Sequence, residues 1–443
     1  MNTKLSLLLL LIMSLLISAC SPTVEKSELE TPLAIPTAID KAEDSIESPT
    51  AAKGDIDFIS NSEIQYLPVQ TDLASATQIV IPLAEKPIWI AGIPHEDGTA
   101  WAVTFESGNL KTFAVNQNGF KEIEISPEKL PAGMPLTIYS SNRELFALTA
   151  PGVDASPLTQ PVLIDANLHQ IAYIAINGDL VISQNGQETR LPVNALPDSR
   201  ILVDEDGRLL FLSNPTDRYA HGVLGDSIEA TGITLVETNP EPRVLQTISI
   251  SEKDVIEGIY PIWADMNNDG EREIIVTLSN AQDGARILAF REDGSLLAEG
   301  PAIGTGYRWR HQLVVAPFGS SDENLLAVVR TPHIGGVLEF YKLNGNKLHI
   351  VKTISGVSTH SIGSRNLFTA QAGDFNNDGQ IGLLAPDQSH SNLGIVNVES
   401  ESITWLELDA ELSTNLAAAT FNKNSQVVIA GGLSNNTLSI WIP

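Results

Sequence analysis

The chain has 443 residues, 54 acidic and 26 basic, for a formal net charge of −28. Such an excess of acid opposes nucleic-acid binding and electrostatic docking on anionic lipid. The length allows several domains, and a single cysteine, Cys20, excludes an internal disulfide.

The N-terminus reads as an export signal. Lys4 gives a short basic start, and Leu5 to Ile17 is apolar apart from two serines. That run is too short to span a bilayer and fits a signal-peptide core. Ile17-Ser18-Ala19-Cys20 then resembles a bacterial lipoprotein box. The resemblance implies a signal over 1–19, lipidation of Cys20, and anchoring to a membrane of the bacterial cell envelope. An ordinary cleaved signal with an incidental cysteine is the plainer alternative. Ser21 follows Cys20, a pairing that in enterobacteria favours the outer membrane, so that membrane is expected if the cell has two. Residues 20–60 are rich in Pro, Ser, Thr, Ala and Glu without a sustained apolar period. They read as a lipidated flexible tether, because such a segment buries too little to offset its ordering entropy. The folded part is expected over 61–443.

Beyond the tether the chain alternates short apolar runs with polar turns and shows no long helical period. Thr77-Gln78-Ile79-Val80-Ile81 is a strand-like segment standing ahead of the first full unit. Paired runs around a turn occur next at Ile90 to Val103, Leu136 to Leu148, and Ile201 to Phe211 with its Asp206-Gly207 turn. A further pair is crowded into Val162 to Ile182. Downstream the pattern repeats around two related loops, Asp265 to Glu273 and Asp374 to Gly382. They start at 265 and 374, so 109 residues apart, twice a unit of about 50 residues. A degenerate copy lies midway at Val314 to Val329, and another at Ala418 to Ile429. Arg286 to Gly294 and Val337 to Gly345 each read as a strand ending in an Asp-Gly or Asn-Gly turn, which makes two hairpins per unit. Repeated four-stranded units point to an all-β fold, a β-propeller of seven blades, or eight if Val162 to Ile182 forms its own. Two consecutive sandwiches are the alternative that the repeat disfavours. The last unit is short of a strand after Leu438-Ser439-Ile440-Trp441-Ile442, and Thr77–Ile81 is expected to supply it.

The two loops place carboxylates and amides at alternate positions and close with a glycine. Their first six residues match the start of a calcium loop, but Val276 and Ala385 occupy the place of the bidentate glutamate that an EF-hand needs. Asp265-Met266-Asn267-Asn268-Asp269-Gly270 and Asp374-Phe375-Asn376-Asn377-Asp378-Gly379 resemble instead the loops of the FG-GAP and VCBS-repeat propellers, which are related to integrin α-chain heads. The resemblance covers roughly residues 255–400 and is faint upstream. The naming FG and GAP tripeptides are not cleanly present, with Pro317-Phe318-Gly319 a partial echo. It implies a Ca2+ ion held by Asp265, Asn267, Asp269, Glu273 and the carbonyl of Glu271. The matching residues of the second loop are Asp374, Asn376, Asp378 and the carbonyl of Gln380. Gly382 stands where the last carboxylate belongs, so the second site is expected to be weaker or empty. Asn-Asp-Gly is also an ordinary turn sequence without any metal.

Four segments are rich in Arg, His and aromatics: Asp217 to Gly222 with Arg218 and His221, Tyr307 to His311 with Arg308, Trp309 and Arg310, Arg330 to His333, and His360 to Asn366 with Arg365. Two of them precede the innermost strands of successive units and are expected to converge at a channel mouth. They are candidates for binding a carboxylate, phosphate or acidic sugar. Inter-blade hydrogen bonding is the structural alternative. His95, His169, His349 and His390 read as isolated. There is no nucleophile elbow, zinc-spaced histidine pair or phosphate loop.

The chain therefore reads as a calcium-binding propeller lipoprotein recognising a protein or glycan, and more as a binder than an enzyme. A lyase or hydrolase acting on an anionic substrate through an Arg/His funnel is the competing class. Cys20→Ser should move the protein from the membrane to the soluble fraction with an unchanged melting curve; retention after a high-salt wash would refute the anchor.

Overall fold

The computed structural model describes residues 56–61, 66–96, 98–165, 170–319, 323–421 and 426–443. Cys20, the signal segment 1–19, the tether up to residue 55 and His169 lie outside them. Contacts divide the chain into Met1–Ser48 and Pro49–Pro443, and every strand belongs to the second unit.

The described residues contain strands and no helix. The strands fall into consecutive antiparallel meanders. Pro87–His95, Gly98–Phe105, Leu110–Asn116 and Gly119–Ile123 form the first. Thr137–Ser141 and Glu144–Ala147 form a shorter one. Four-stranded groups come next over 162–191, 202–249, 262–299, 310–355 and 371–407. Val162 to Ile182, on which a count of seven or eight units depends, lies in a four-stranded sheet of its own.

Each meander runs from a buried inner edge to a solvated outer one. Arg310–Ala316 is buried at every position, whereas Lys347–Ser355 exposes alternate residues, as one face of an outer strand must. Apolar side chains from neighbouring sheets fill the space between them. Ile275 and Ile287 pack with Leu326 and Val328, and Ala327 and Phe340 with Leu383 and Val396. Ile90, Trp101 and Val103 of the first sheet pack with Val428, Ala430 and Ile440 of the last. Sheets stacked face to face in chain order, with the last against the first, make a ring. The fold is an all-β propeller.

The ring closes as the sequence suggests. Leu412–Phe421, Gln426–Leu433 and Thr437–Ile442 leave the last sheet one strand short, and Thr77–Pro82 completes it. The pairing is antiparallel and unbroken, from Thr77 opposite Ile442 to Pro82 opposite Thr437. Ile81 is fully buried in the core shared by the first and last sheets.

One boundary moves. Residues 56–60, assigned to the tether, belong to the strand Ile56–Asn61, which pairs antiparallel with Thr137–Ser141. Tyr66–Gln70 then pairs parallel with Gln371–Asp374, an inner strand. The N-terminal chain thus ties two separate sheets before it reaches the closing strand.

A four-stranded meander ends at the face where it began, so the inner strand of each successive sheet enters from the same face. The segments before the inner strands gather on that face. The loops after the inner strands, including 265–272 and 375–381, gather on the other.

Truncation through Lys86 removes the closing strand together with Ile56–Asn61 and Tyr66–Gln70, leaves one edge of three sheets unpaired and should lower the melting temperature of the whole domain in one transition. Ile81→Ala, a milder probe, should cost about 2–4 kcal/mol in denaturant unfolding. An unchanged transition in either variant would show that the ring does not depend on this strand.

Candidate functional site

The four Arg/His/aromatic segments meet. Tyr219 and Tyr307 lie 5.2 Å apart by ring centroid, and His221 is 5.4 Å from Tyr307 and 6.5 Å from His333. His333 is 5.8 Å from His360, and the Trp309 ring contacts both His360, at 4.9 Å, and His311, at 5.0 Å. The result is one continuous chain of rings. Tyr307, His221 and His333 stand at its solvent end, while Trp309, His311 and His360 are buried beneath.

Most of the arginines turn elsewhere. Arg310 is 3% exposed and pairs with Glu339 at 3.0 Å, while its Nη1 donates to the carbonyls of Ala285 and Pro301 in the preceding sheet. Arg330 also pairs with Glu339, at 2.8 Å. Arg365 bridges Asp198 and Asp226, and Arg218 donates to the carbonyls of Ser251 and Asp254. These are bonds within and between sheets, the structural role that remained open for them. Arg308 is exposed. What converges on the open face is aromatic and imidazole rather than guanidinium.

Carboxylates support this face from below. His221 Nδ1 contacts Glu257, whose other oxygen accepts from the Ser279 hydroxyl. Trp309 Nε1 donates to the Glu257 carbonyl at 3.0 Å. Glu229, also buried, accepts from the Gly258 amide at 3.2 Å. Burial, reinforced by nearby Glu257, raises the Glu229 carboxyl well above its ordinary range. Burial acts oppositely on the imidazoles: it lowers His311 well below its usual value and His360 to about 4. His333 is lowered as well, by burial and then by His221. Glu257 and Glu229 were not singled out in the sequence, because single acids in an acidic chain carry no local signal. His390, read as isolated, lies 3.3 Å from Ser358 Oγ.

No family model matches the chain, and no curated protein matches it in sequence. Among solved structures it is similar to the β-propeller domain of Cps50 (Swd1) from Myceliophteria thermophila, at 8% identity and a TM-score of 0.42, covering 83% of this chain and 100% of that one. It is also similar to BBS1N in complex with ARL6DN, at 10% identity and a TM-score of 0.42, covering 82% of this chain and 97% of that one.

The two repeated loops lie on the opposite face and share one geometry. Asn268 and Asn377 adopt φ of +60° and +56°, and Gly270 and Gly379 adopt +89° and +81°, the left-handed region that Asn and Gly tolerate. In the first loop Asp265 accepts from the amides of Asp269 and Gly270, at 3.2 and 2.8 Å. Glu273 is buried and accepts from the Met266 amide at 2.8 Å. Burial raises its carboxyl; the Met266 bond opposes that shift, and Asp269 and Asp265 add to it. The Asn267 side-chain amide donates to both Asp269, at 2.9 Å, and Glu273, at 3.4 Å. A donor thus stands between two carboxylates, where a cation would serve both, and rotating that amide would present its oxygen instead. Asp265, Asn267, Asp269, Glu273 and the Glu271 carbonyl are oxygen donors of the kind a hard cation takes. In the second loop Asn376 donates to Asp378 at 2.8 Å, and Asn397 donates to the same oxygen at 3.0 Å. A Cβ on Gly382 would collide with the Val396 carbonyl, so no side chain can stand there to complete the set. Among the described residues no three His, Cys, Asp or Glu side chains are arranged to hold a metal ion by themselves.

The buried ionisable groups set a pH dependence. His360 has a folded pKa below its unfolded value of about 6.5, so the unfolded chain takes up the proton first as pH falls. Stability is therefore lost between about pH 6.5 and 4, by about 3 kcal/mol from His360, with His311 acting in the same direction. Glu229 has the opposite sign: its folded pKa is raised, so its contribution is lost as pH rises above about 4.5. In chelator, Glu229→Gln should gain on the wild type in melting temperature as pH rises from about 5 to 8, and His360→Gln should lose less than the wild type toward about pH 4. Parallel curves for all three proteins would contradict these environments.

Proposed function

We propose that the chain is a recognition module: a β-propeller that binds a protein or glycan on the face carrying Tyr219, His221, Tyr307, His333 and His360. The observation that carries this reading is the convergence of four distant segments into one contiguous ring cluster. Around it stand apolar side chains that the fold leaves exposed, Tyr307 at 55%, Ile334 at 70% and Ile362 at 69%. Exposed aromatic and apolar side chains gathered on one face favour a docking surface.

In the same proposal the loops at 265 and 374 group the chain with FG-GAP and VCBS-type propellers, Ca2+ braces the face opposite the ring cluster, and Cys20 anchors the chain to the bacterial envelope. The support is the donor set of the first loop and the lipoprotein-like Ile17-Ser18-Ala19-Cys20. The competing reading, an envelope lyase or hydrolase, draws on the His221–Glu257 contact, which supplies two titratable groups within reach of each other. It is the weaker one, because Arg218, Arg310, Arg330 and Arg365 are committed to protein partners and do not line an anionic substrate site.

Two readouts should separate the two faces. At millimolar calcium a Kd of roughly 0.1–1 mM stabilises the fold by about 0.4–1.4 kcal/mol. Asp269→Ala should remove most of that calcium-dependent shift in melting temperature, Asp378→Ala little of it, and Tyr307→Ala none. Binding of the soluble Cys20→Ser protein to isolated envelope fractions of the producing bacterium, at physiological salt, should fall when Tyr307→Ala or His333→Ala is added and persist when Asp269→Ala is added. Equal losses from Asp269→Ala and Asp378→Ala would overturn the calcium assignment, and binding insensitive to Tyr307→Ala would overturn the recognition face.

A further inference from the structure

The N-terminal chain shows what the inside of the ring accepts. Ile56–Asn61 adds antiparallel to the inner strand Thr137–Ser141, and Tyr66–Gln70 adds parallel to the inner strand Gln371–Asp374. Four other inner strands carry no such addition. Among the described residues Val162–Asp165, Leu202–Val203, Ile262–Ala264 and Arg310–Ala316 each pair on one side only. Together with Ile59 and Tyr66 of the added strands they border a cleft of about 620 Å3. Glu205 and Arg272, which follow inner strands, put its mouth on the loop face, opposite the ring cluster.

The lining identifies what faces this cleft. A strand presenting one of its faces would contribute alternate residues. Here consecutive residues line the space: 162–163, 201–205, 262–264 and 314–315. The strands therefore turn their edges to it. The ladder at 202–203 agrees. The Asp204 amide donates to the Arg208 carbonyl at 3.1 Å, while Leu202 lies opposite Leu210 and Val203 opposite Leu209. Bonded pairs alternate along an antiparallel ladder, so Val203 turns its N–H and C=O away from Leu209, toward the cleft. The side chains along these edges are mostly aliphatic. The polar ones, two tyrosines apart, are paired or covered: Arg272 is bound to Asp204 and Glu205, and Ser60 and Thr137 are buried.

Main-chain donors and acceptors in strand register, set among aliphatic side chains, are what an extended peptide matches. An acyl chain would strip water from those edges without returning a hydrogen bond. A compact anion would meet the carboxylates of Asp204 and Glu205 and a guanidinium already paired with them. We propose that this open sector of the channel binds an extended, apolar peptide segment of a partner polypeptide. The segment adds a strand to the edge at 201–203, as Ile56–Asn61 does to Thr137–Ser141. The site is separate from the ring-lined face and does not rest on the recognition reading there.

Titration calorimetry on the mature chain carrying Cys20→Ser, at about 0.15 M salt, tests it. The probes are acetyl-Thr-X-Thr-X-Thr-Lys-amide peptides with valine, isoleucine or tyrosine at X, the same peptides N-methylated on both central amides to block both edges, and decanoate. At least one unmethylated peptide should bind with a Kd of about 1 mM or tighter, and its methylated form about tenfold or more weaker. Val203→Pro removes the edge amide while sparing the ladder, and Ile59→Trp fills the cleft from an exposed position. Each should weaken binding about tenfold or more. Tyr307→Ala, on the opposite face, should leave it unchanged. Unaltered melting curves would confirm that the variants fold, and where Val203→Pro does not, Ile59→Trp decides. The inference is overturned if no peptide binds at about 5 mM, if the methylated peptides bind equally well, if decanoate binds in preference, if Ile59→Trp has no effect, or if binding is lost in Tyr307→Ala.

Discussion

The antiparallel pairing of Thr77–Pro82 with Thr437–Ile442 is the constraint on which the ring depends. The other four-stranded meanders form from neighbouring sequence, but the last lacks a strand until the two ends of the domain meet. The cost is the entropy of closing a loop of more than 350 residues, which rises only slowly with length. The return is large, because closure buries Ile81 and lets the first sheet pack on the last through Trp101, Val428 and Ile440. Closure also explains why the ring-lined face exists. Segments 217–222, 307–311 and 330–333 become neighbours of 360–366 only where successive inner strands are held around one axis.

The arginines show what a ring asks of polar side chains. Arg310 reaches back to the carbonyls of Ala285 and Pro301 and is neutralised by Glu339, which Arg330 shares. A buried guanidinium so placed satisfies the Pro301 carbonyl and gives the Ala285 carbonyl, which also accepts from the Ile303 amide, a second donor. Removing Glu339 would strand two cations, a far larger penalty than the pair's net contribution. Arg365, held between Asp198 and Asp226, ties the 361–366 loop to the 222–226 loop, where the Gly363 amide also donates to the Val223 carbonyl. The arginines are therefore the frame of the candidate site, and the rings are its surface.

Much of this was legible in the sequence, for physical reasons that differ by element. The strand pairs, the Asp-Gly and Asn-Gly turns and the missing closing strand are local patterns of period two and turn chemistry. The four polar segments stood out because Arg, His and aromatics are scarce in so acidic a chain. Which atoms those side chains would reach was not legible, since the partners of Arg310 and Arg365 are carbonyls and acids from other sheets. Glu257 and Glu229 gave no signal, and neither did His390. Residues 56–60 looked like tether because a composition that lacks a period conceals a strand whose partner is 80 residues away.

Gly382 illustrates the same point at a single position. From the sequence it is a missing ligand, an accident that another residue could repair. In the fold its α-carbon faces the Val396 carbonyl at a distance that admits no Cβ, while Asn397 from the next strand donates to Asp378. In the second loop close strand packing and the Asn397 amide contact stand where the first loop has a carboxylate. The first loop has Glu273, buried and set near Asp265 and Asp269, where the repulsion of the carboxylates is offset by the backbone amides of Met266, Asp269, Gly270 and Glu271 and by the Asn267 side-chain amide. Two copies of one turn thus differ at the closing position, and strand packing decides which side chain that position can carry.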